Sequence, residues 1–319
     1  MEIRMIIGFA ISLAAVMVLM PSFIKFLKKM SLRQSISEYS LPEDQLKAGT
    51  PIMGGVLFII VPIIAMLIVS PASFADLDML VVILAYAGYG LIGFVDDYLI
   101  AVKKNNDGLK PKQKFLMQVV LAVLFFILYR THANLEIILP ISGRVLHLGA
   151  GYFILVLFMF AGSSNAVNLT DGMDGLAAGV SIIACIPFFF IALRQGRPGL
   201  PVFICCLLGA LLGYLYYNKK PARVFMGDTG SLALGGVLAA MAMVTKNELA
   251  LILIAGVPVI ETLCVMLQIA AVKTIHRRIF TYTPIHYAFR IRGMKEQAVV
   301  VMFWAAEAVF ALAGFLISR

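Results

Sequence analysis

Five aspartates are the residues of this sequence best suited to chemistry. Asp96 and Asp97 are adjacent, Asp171 and Asp174 are three positions apart, and Asp228 follows a glycine. Two neighbouring carboxylates repel each other, so their pairing needs a bound cation or another compensating charge. Carboxylates bind hard cations such as Mg²⁺, and lysines near them can bind phosphate. These residue types together indicate Mg²⁺-assisted phosphoryl chemistry.

The aspartates belong to a chain with the composition of a membrane protein. Of its 319 residues, 61% are hydrophobic and 13% are charged, whereas soluble domains have about 45–50% and about 25%. We therefore expect an all-α polytopic membrane protein, with one integral-membrane domain over residues 1–319 and chemistry on a lipid. The net charge of +9 indicates topology first and attraction to anionic lipid or phosphate second. Nucleic-acid binding is not expected, since no basic face lies outside the membrane loops.

Ten hydrophobic stretches approach the length of about 20 residues that a membrane-spanning helix needs. Pro62 and Pro258 lie inside the second and the ninth stretch and predict kinks, so we expect a bent ninth helix. The four cysteines all lie inside apolar runs and indicate packing, not metal binding. The predicted spans are 5–27, 52–70, 79–95, 115–131, 149–167, 175–193, 200–216, 230–246, 249–273 and 297–317.

Lysine and arginine are distributed unequally between the loops on the two sides of these spans. One side has 19 of the 26 basic residues and the other side has 7. Since basic residues collect on cytoplasmic loops, we assign the richer side to the cytoplasm and both termini to the opposite side. The longest outer connection, 132–148, has the pattern of two short strands around a turn and predicts an external β-hairpin. The polar and glycine-rich motifs all lie on the cytoplasmic side, where we expect the site.

The candidate residues also have plain structural interpretations. Asp174 and Asp228 lie where helices start, so N-capping would explain them, although a helix N-terminus also favours phosphate. The single His286 lies in a basic loop, where a structural role is more common than a catalytic one. Glu261 and Glu307 lie inside predicted spans, where acids are functional candidates by default. For Glu261 we prefer a neutral form bonded to backbone groups freed by the nearby proline.

Five stretches of the sequence carry a family resemblance. They are 49–55, 94–98, 168–176, 224–232 and 284–286. They occur in the order found in the polyprenyl-phosphate N-acetylhexosamine-1-phosphate transferases, which the chain resembles over nearly its whole length. Within that superfamily it looks most like the bacterial phospho-N-acetylmuramoyl-pentapeptide transferases. Each motif is moderately specific, and five in order are strongly so.

The resemblance implies a fold and a reaction. The implied fold has ten helices with external termini, forms a homodimer, and opens a cytoplasmic cleft to lipid beside a bent ninth helix. The implied reaction transfers phospho-MurNAc-pentapeptide from UDP-MurNAc-pentapeptide to undecaprenyl phosphate, giving lipid I and UMP with Mg²⁺ as cofactor. This reaction is the first membrane step of peptidoglycan synthesis and takes place in the bacterial plasma membrane.

The resemblance also implies a role for each matched side chain. Asp228 would be the Mg²⁺ ligand, and Asp96 would deprotonate or orient the lipid phosphate with Asp97 beside it. Asp171 and His286 would line the diphosphate and sugar region. Lys112 or Lys114 would meet a phosphate, and Thr50 is a further implied substrate-binding residue. The implied nucleotide pocket, in which Phe225 would stack on uracil, consists of Lys47, Asn168, Asp174, Asn218, Phe225, Gly227 and Gln268.

The sequence departs from the family in one motif and leaves alternatives open. The family usually has three successive histidines after Pro-Ile, whereas here His286 is followed by Tyr287 and Ala288. Related transferases that use UDP-N-acetylglucosamine are therefore one alternative. A transporter of anionic lipids or nucleotide sugars is another, supported by Glu261 and Glu307 but not by any inverted repeat. For the reaction, direct attack by the lipid phosphate is preferred over an aspartyl-phosphate intermediate.

Overall fold

The structure, a computed structural model, describes residues 1–30, 49–103 and 108–318 and is almost entirely helical. All ten predicted spans are helical, which confirms the prediction of an all-α polytopic membrane protein. Within the described ranges, nine helices are long and apolar enough to cross a membrane, and the helix Gly55–Val69 is shorter. The helices are α1 (Glu2–Lys29), α2 (Gly55–Val69), α3 (Leu77–Lys103), α4 (Pro111–Tyr129), α5 (Gly151–Thr170), α6 (Leu176–Arg194), α7 (Leu200–Asn218), α8 (Gly227–Val244), α9 (Leu251–Ile254), α10 (Gly256–Ile275), α11 (Ile285–Ile291) and α12 (Glu296–Ile317).

Helix α8 lies at the centre of the molecule. In its most hydrophobic stretch 89% of the residues are buried, against 22% in α1 and in α4, and it packs chiefly on α3 and α5. Small residues permit this packing. A Cβ atom on Gly93 of α3 would lie 2.0 Å from the backbone oxygen of Asp228, and one on Gly235 would lie 2.3 Å from that of Ser163. Glycine therefore sets how closely α3 and α5 approach α8.

Helix α3 continues beyond its predicted end at residue 95. It reaches Lys103, so Asp96 and Asp97 lie inside the helix and not at its foot. The expected position was wrong because the residues after the pair, Tyr98 to Ala101, are compatible with a helix and both carboxylates find partners on other elements. The extension places the pair against the N-terminus of α8.

The ninth predicted span is broken, as Pro258 indicated. The break is at Ala255, between α9 and α10, with φ −113° and ψ 46°. Pro258 has no N–H to donate, and its ring excludes the carbonyl four residues earlier, that of Ile254. The backbone N–H of Val257 donates instead to Glu307 Oε2 of α12 at 2.8 Å. A side chain of α12 therefore satisfies a backbone group next to the break.

The predicted β-hairpin is present at the end of the molecule remote from Asp228. Strands β1 (Glu136–Ile138) and β2 (Val145–His147) pair antiparallel, with Ile137 opposite Leu146. Lys246 donates to the backbone oxygens of Asn134 and Glu136 at 2.5 and 3.3 Å and fixes the hairpin to the helices. That the hairpin is external stays a prediction.

Candidate active site

Asp228 is the focus of a polar cluster at the N-terminus of α8. It is the second residue of α8, and its side chain is 25% exposed. Lys114 of α4 donates to Oδ2, and Asn168 of α5 donates to Oδ1 at 2.7 Å. The same Asn168 amide donates to Ser231 Oγ at 2.9 Å, one turn along α8. Three helices thus fix the orientation of this carboxylate while leaving it reachable.

Asp96 joins the same cluster from α3. Its Oδ2 atom lies 3.5 Å from Lys114 Nζ, and its Oδ1 accepts the backbone N–H of Leu109 at 2.6 Å. One ammonium group therefore lies between two carboxylates, those of Asp96 and Asp228. Placing a positive charge there compensates for the burial of both acids.

The donor set of Asp96 and Asp228 fits a Mg²⁺ ion that shares its coordination with a diphosphate. No group of three or more His, Cys, Asp and Glu side chains that could hold a metal occurs in the described part of the chain. Mg²⁺ is commonly held by one or two carboxylates together with substrate phosphates and water. Two carboxylates that already attract one cation meet that requirement. The assignment of Mg²⁺ to Asp228 stays a prediction.

Asp97 has different partners from its neighbour. Its carboxylate accepts the backbone N–H groups of Asp228 and Thr229 at 3.0 and 2.9 Å, and the Thr229 hydroxyl at 2.6 Å. It is 3% exposed and so caps the N-terminus of α8 from another helix. Gly227 makes this approach possible, because its Cβ would lie 2.3 Å from Asp97 Oδ2 and its φ is +69°.

His286 lies in a buried cluster at the start of α11. Its Nδ1 lies 2.9 Å from Glu261 Oε1 of α10, and Glu261 also accepts the N–H of Ile285 at 2.7 Å. We expected Glu261 to bond backbone groups freed by Pro258, and this was wrong. Glu261 bonds to α11 instead. On its other side the His286 ring is so close to Gly172 that a Cβ there would lie 2.2 Å from Nε2. The ring therefore abuts the segment that carries Asp171.

Tyr287 occupies a position where the family usually has histidine. Its hydroxyl donates to the backbone oxygen of Gly172 at 3.0 Å. The tyrosine thus provides a further contact between α11 and the segment after α5, alongside the His286 ring.

Asp174 and Asn218 connect the segment before α6 to the segment after α7. Asp174 Oδ2 accepts the N–H of Ala222 at 3.0 Å, while its own N–H donates to Glu296 of α12 at 3.2 Å. Asn218 accepts the N–H of Gly175 at 3.0 Å and donates to the backbone oxygen of Val224 at 2.9 Å. Gly175, not Asp174, occupies the N-cap position of α6. These contacts shape the loop that leads to Asp228.

Phe225 is half-buried and its backbone pairs with the glycine-rich motif before α2. Its N–H donates to Pro51 O at 2.9 Å, and its oxygen accepts the N–H of Gly54 at 2.8 Å. Thr50 precedes this pairing and is half-buried. The predicted uracil-stacking residue is therefore held beside the motif that resembles the family.

The remaining predicted site residues differ in how far the structure connects them to the cluster. Gln268 binds its own loop, accepting the N–H groups of Ile279 and Phe280 at 3.0 Å each. Asp171 is half-buried at the C-terminus of α5, and Lys112 is exposed. Lys47 lies outside the described residues.

The segment 168–175 links the clusters. Asn168 contacts Asp228, Gly172 contacts His286 and Tyr287, and Asp174 contacts the loop before α8. The structure thus unites Asp96, Lys114, Asn168 and Asp228 directly and brings His286 to the same segment. This arrangement provides carboxylates, an ammonium group and amide donors around one solvent-accessible point.

The sequence reasoning missed several polar residues of these clusters. Glu296 accepts from both Asp174 N and Lys220 Nζ, at 3.2 and 2.5 Å. Gln118 lies one turn after Lys114 on α4, and Asn165 lies one turn before Asn168 on α5. The spacings of four and three residues, which place side chains on one helix face, were the available signal.

Comparison with known proteins places the chain in a family. Residues 79–246, slightly more than half of the chain, match the family described as glycosyl transferase family 4. The phospho-N-acetylmuramoyl-pentapeptide-transferase of Geobacillus kaustophilus is 43% identical over 320 residues, 99% of this chain and 98% of the relative. The protein of the same name from Bacillus subtilis is 44% identical over 315 residues, covering 98% and 96%.

Proposed function

Because the chain belongs to the phospho-N-acetylmuramoyl-pentapeptide-transferases and to glycosyl transferase family 4, we propose that it transfers phospho-MurNAc-pentapeptide from UDP-MurNAc-pentapeptide to a polyprenyl phosphate. The products are UMP and a polyprenyl-diphosphate-linked MurNAc-pentapeptide, which is lipid I when the carrier is undecaprenyl phosphate. The family assignment favours this function over the related UDP-N-acetylglucosamine reaction and over transport.

One observation carries the proposal at the level of the site. Lys114 lies between the carboxylates of Asp96 and Asp228, and Asn168 fixes Asp228 from a third helix. Phosphoryl transfer needs charge compensation and positioning more than covalent chemistry by the protein, and this cluster supplies both. Its surroundings are membrane-spanning helices, as a lipid substrate requires.

The proposed step is a direct displacement at the β-phosphorus. An oxygen of the lipid phosphate forms a bond to that phosphorus while the bond to the bridging oxygen breaks, and UMP leaves with the electron pair. Asp96 orients the incoming phosphate and accepts its remaining proton where one is present. The phosphate is already largely ionised near neutral pH because its second pKa is about 6. Charge positioning is therefore the main task of Asp96.

The contacts of the aspartates support direct transfer over an aspartyl-phosphate intermediate. Asp97 accepts three hydrogen bonds and is buried, so it is not free to attack a phosphorus atom. Asp228 is bonded through both oxygens, to Lys114 and Asn168. Asp97 therefore has no free oxygen with which to act as a nucleophile, and the proposed task of Asp228 is to hold the metal.

Mg²⁺ is part of the proposal as the cofactor. Asp228 would hold it, with Asp96 nearby, and it would neutralise the diphosphate and assist the departure of UMP. Among the described residues, Lys114 provides positive charge at the same point.

The cellular setting and assembly stay predictions that follow from the resemblance and the distribution of charge. We expect the protein to lie in the bacterial plasma membrane with the site facing the cytoplasm, and to form a homodimer. The excess of basic residues on the side that carries Asp228 supports the orientation.

Release of UMP by the purified protein tests the function. The assay contains polyprenyl phosphate with either UDP-MurNAc-pentapeptide or UDP-N-acetylglucosamine, and each is run with Mg²⁺ and with a chelator. We expect UMP only with UDP-MurNAc-pentapeptide, lipid and Mg²⁺ together. UMP release with UDP-N-acetylglucosamine but not with UDP-MurNAc-pentapeptide would support the related reaction instead. Exchange of labelled UMP into the UDP-sugar without lipid would instead favour the covalent route.

A further inference from the structure

A cavity of about 320 Å³ adjoins the Asp96–Lys114 contact. It lies between α3, the segment 108–111, α4 and α5. Four polar side chains line it, those of Asp96, Lys114, Gln118 and Asn165, and the remaining lining is mostly apolar. Lys114 and Gln118 lie four residues apart on α4 and so share a helix face.

The hydrogen bonds around Gln118 fix the orientation of its amide. The backbone oxygen of Ala161 can only accept, and it accepts from Asn165 Nδ2 at 2.7 Å. The same nitrogen lies 3.0 Å from the Gln118 side chain, so the atom facing it must be the acceptor Oε1. Consequently the Nε2 group takes no part in the contact with Asn165, while the Gln118 side chain lines the cavity.

Gln118 Nε2 is a buried donor without a protein acceptor. The side chain belongs to a residue that is 1% exposed, and the described part of the chain provides no hydrogen-bond partner for this nitrogen. Leaving a buried donor unsatisfied costs about 1–3 kcal/mol. A ligand oxygen in the cavity would remove that cost, and the nearby Lys114 ammonium favours an anionic one.

We propose that Gln118 is a substrate-binding residue that donates Nε2–H to the phosphate of the polyprenyl phosphate. The inference rests on the proposed function and deepens it by naming the group that receives the lipid phosphate. A phosphate monoester can carry one proton near neutral pH, so it can donate to Asp96 while it accepts from Lys114 and Gln118. The phosphates of a nucleotide diphosphate sugar have no such proton.

The apolar part of the cavity supports a lipid over a nucleotide. Ile100 and Phe115 line it, and Phe115 is 56% exposed on the outer face of α4. On the same helix Leu116 and Val120 are 62% and 50% exposed, as expected for a surface that faces lipid acyl chains. The expected nucleotide residues Asn218, Phe225 and Gln268 are not among its lining residues.

The test compares Michaelis constants for the two substrates in the full-length protein. Gln118→Met keeps the length of the side chain and removes the donor. We expect KM for polyprenyl phosphate, as a mole fraction in the micelle, to rise tenfold or more, since a hydrogen bond to a charged group is involved. KM for UDP-MurNAc-pentapeptide should stay within twofold. If this variant does not fold, Gln118→Asn, which withdraws the amide by one methylene, is measured instead with the same expectation.

Tyr89→Phe is the matched control. The Tyr89 hydroxyl donates to the backbone oxygen of Gln118 at 3.2 Å, so this variant perturbs the same place without removing the amide. Both KM values should stay within twofold. An unchanged KM for the lipid in the Gln118 variants, or an equal rise in both KM values, overturns the inference while the wild-type reaction still supports the proposed function. Failure of the wild-type protein to use polyprenyl phosphate would instead reject the function itself.

Discussion

At the scale of the residue, the adjacent Asp96 and Asp97 have separate tasks. Side chains of neighbouring helix residues point about 100° apart, and here one carboxylate faces Lys114 while the other faces the N-terminus of α8. Asp96 can therefore act on a ligand, whereas Asp97 is committed to the backbone. The difference between the two follows from the orientation of α3, and substitutions should reveal it.

Asp228→Asn should abolish UMP release while leaving the protein folded. The substitution keeps the shape of the side chain and removes the negative charge that would attract Mg²⁺. We expect a loss of at least about 100-fold in kcat, the scale seen when one preorganised electrostatic group is removed. UMP release and the thermal unfolding temperature are measured together. Asp76→Asn, an exposed substitution at the other end of the molecule, is the control, and near-normal turnover by Asp228→Asn would refute the metal assignment.

Asp97→Asn, in contrast to Asp228→Asn, should clearly lower the stability of the fold. An amide cannot accept from all three donors of Asp228 and Thr229, because its nitrogen is itself a donor. We expect unfolding to become easier by about 1–3 kcal/mol. Thermal denaturation in detergent measures this change. An unfolding temperature equal to that of the wild type, with activity lost, would make Asp97 a participant in the reaction instead.

At the scale of the element, the N-termini of α8, α10 and α11 are capped by side chains from other segments. Asp97 caps α8, Glu307 caps α10 and Glu261 accepts from the first residues of α11. None of these three helices has a hydrogen bond from the side chain of its own N-cap residue. Water cannot satisfy free N–H groups inside a membrane, so a carboxylate from a neighbour does. Capping thus explains the intramembrane acids Glu261 and Glu307 without a transport function.

Glu307→Leu should destabilise the broken ninth span, and Glu307→Gln should do so much less. Leucine leaves the N–H of Val257 buried without a partner, at a cost of about 1–3 kcal/mol, whereas glutamine retains an acceptor oxygen. The unfolding temperatures of the two variants are compared, with the lipid-facing Val309→Leu as a control for substitution on α12. Equal destabilisation by leucine and glutamine would show that the charge of Glu307, and not its acceptor, matters.

Much of this helix arrangement could be predicted from the sequence, and most of the capping could not. Hydrophobic length alone located all ten spans, and Pro258 located the break to within three residues of Ala255. The partner of Glu261 lies 24 positions away and that of Asp97 lies more than 130 away. Such contacts depend on how helices pack, which a local pattern does not encode.

At the scale of the whole molecule, the candidate site and the hairpin lie at opposite ends. Asp96, Asn168 and Asp228 gather where α3, α5 and α8 meet, while Lys246 fixes the hairpin just after the other end of α8. The resemblance located most site residues through the five motifs and added others outside them, such as Lys114 and Gln268. It did not include Gln118 or Glu296, whose roles depend on contacts between helices.

Labelling of single cysteines tests which end faces the cytoplasm. Ser142→Cys in the hairpin and Lys273→Cys near the end of α10 are both at exposed positions. In intact cells a membrane-impermeant thiol reagent should label Ser142→Cys and should label Lys273→Cys only after the membrane is opened. The unsubstituted chain is the background, since its cysteines are buried or half-buried. The reverse labelling pattern would invert the orientation.

The remote caps also impose an order on biosynthesis. Asp97 is synthesised before α8, so the carboxylate that caps α8 is already present when that helix is inserted. Glu307 emerges about 50 residues after Val257, so α10 enters the membrane with an open N–H and becomes satisfied only when α12 arrives. A nascent chain stalled before α12 thus exposes an incomplete helix in the bilayer. Helix α12 thereby completes the hydrogen bonding of the ninth predicted span, and a chain without α12 leaves the N–H of Val257 without this acceptor in the bilayer.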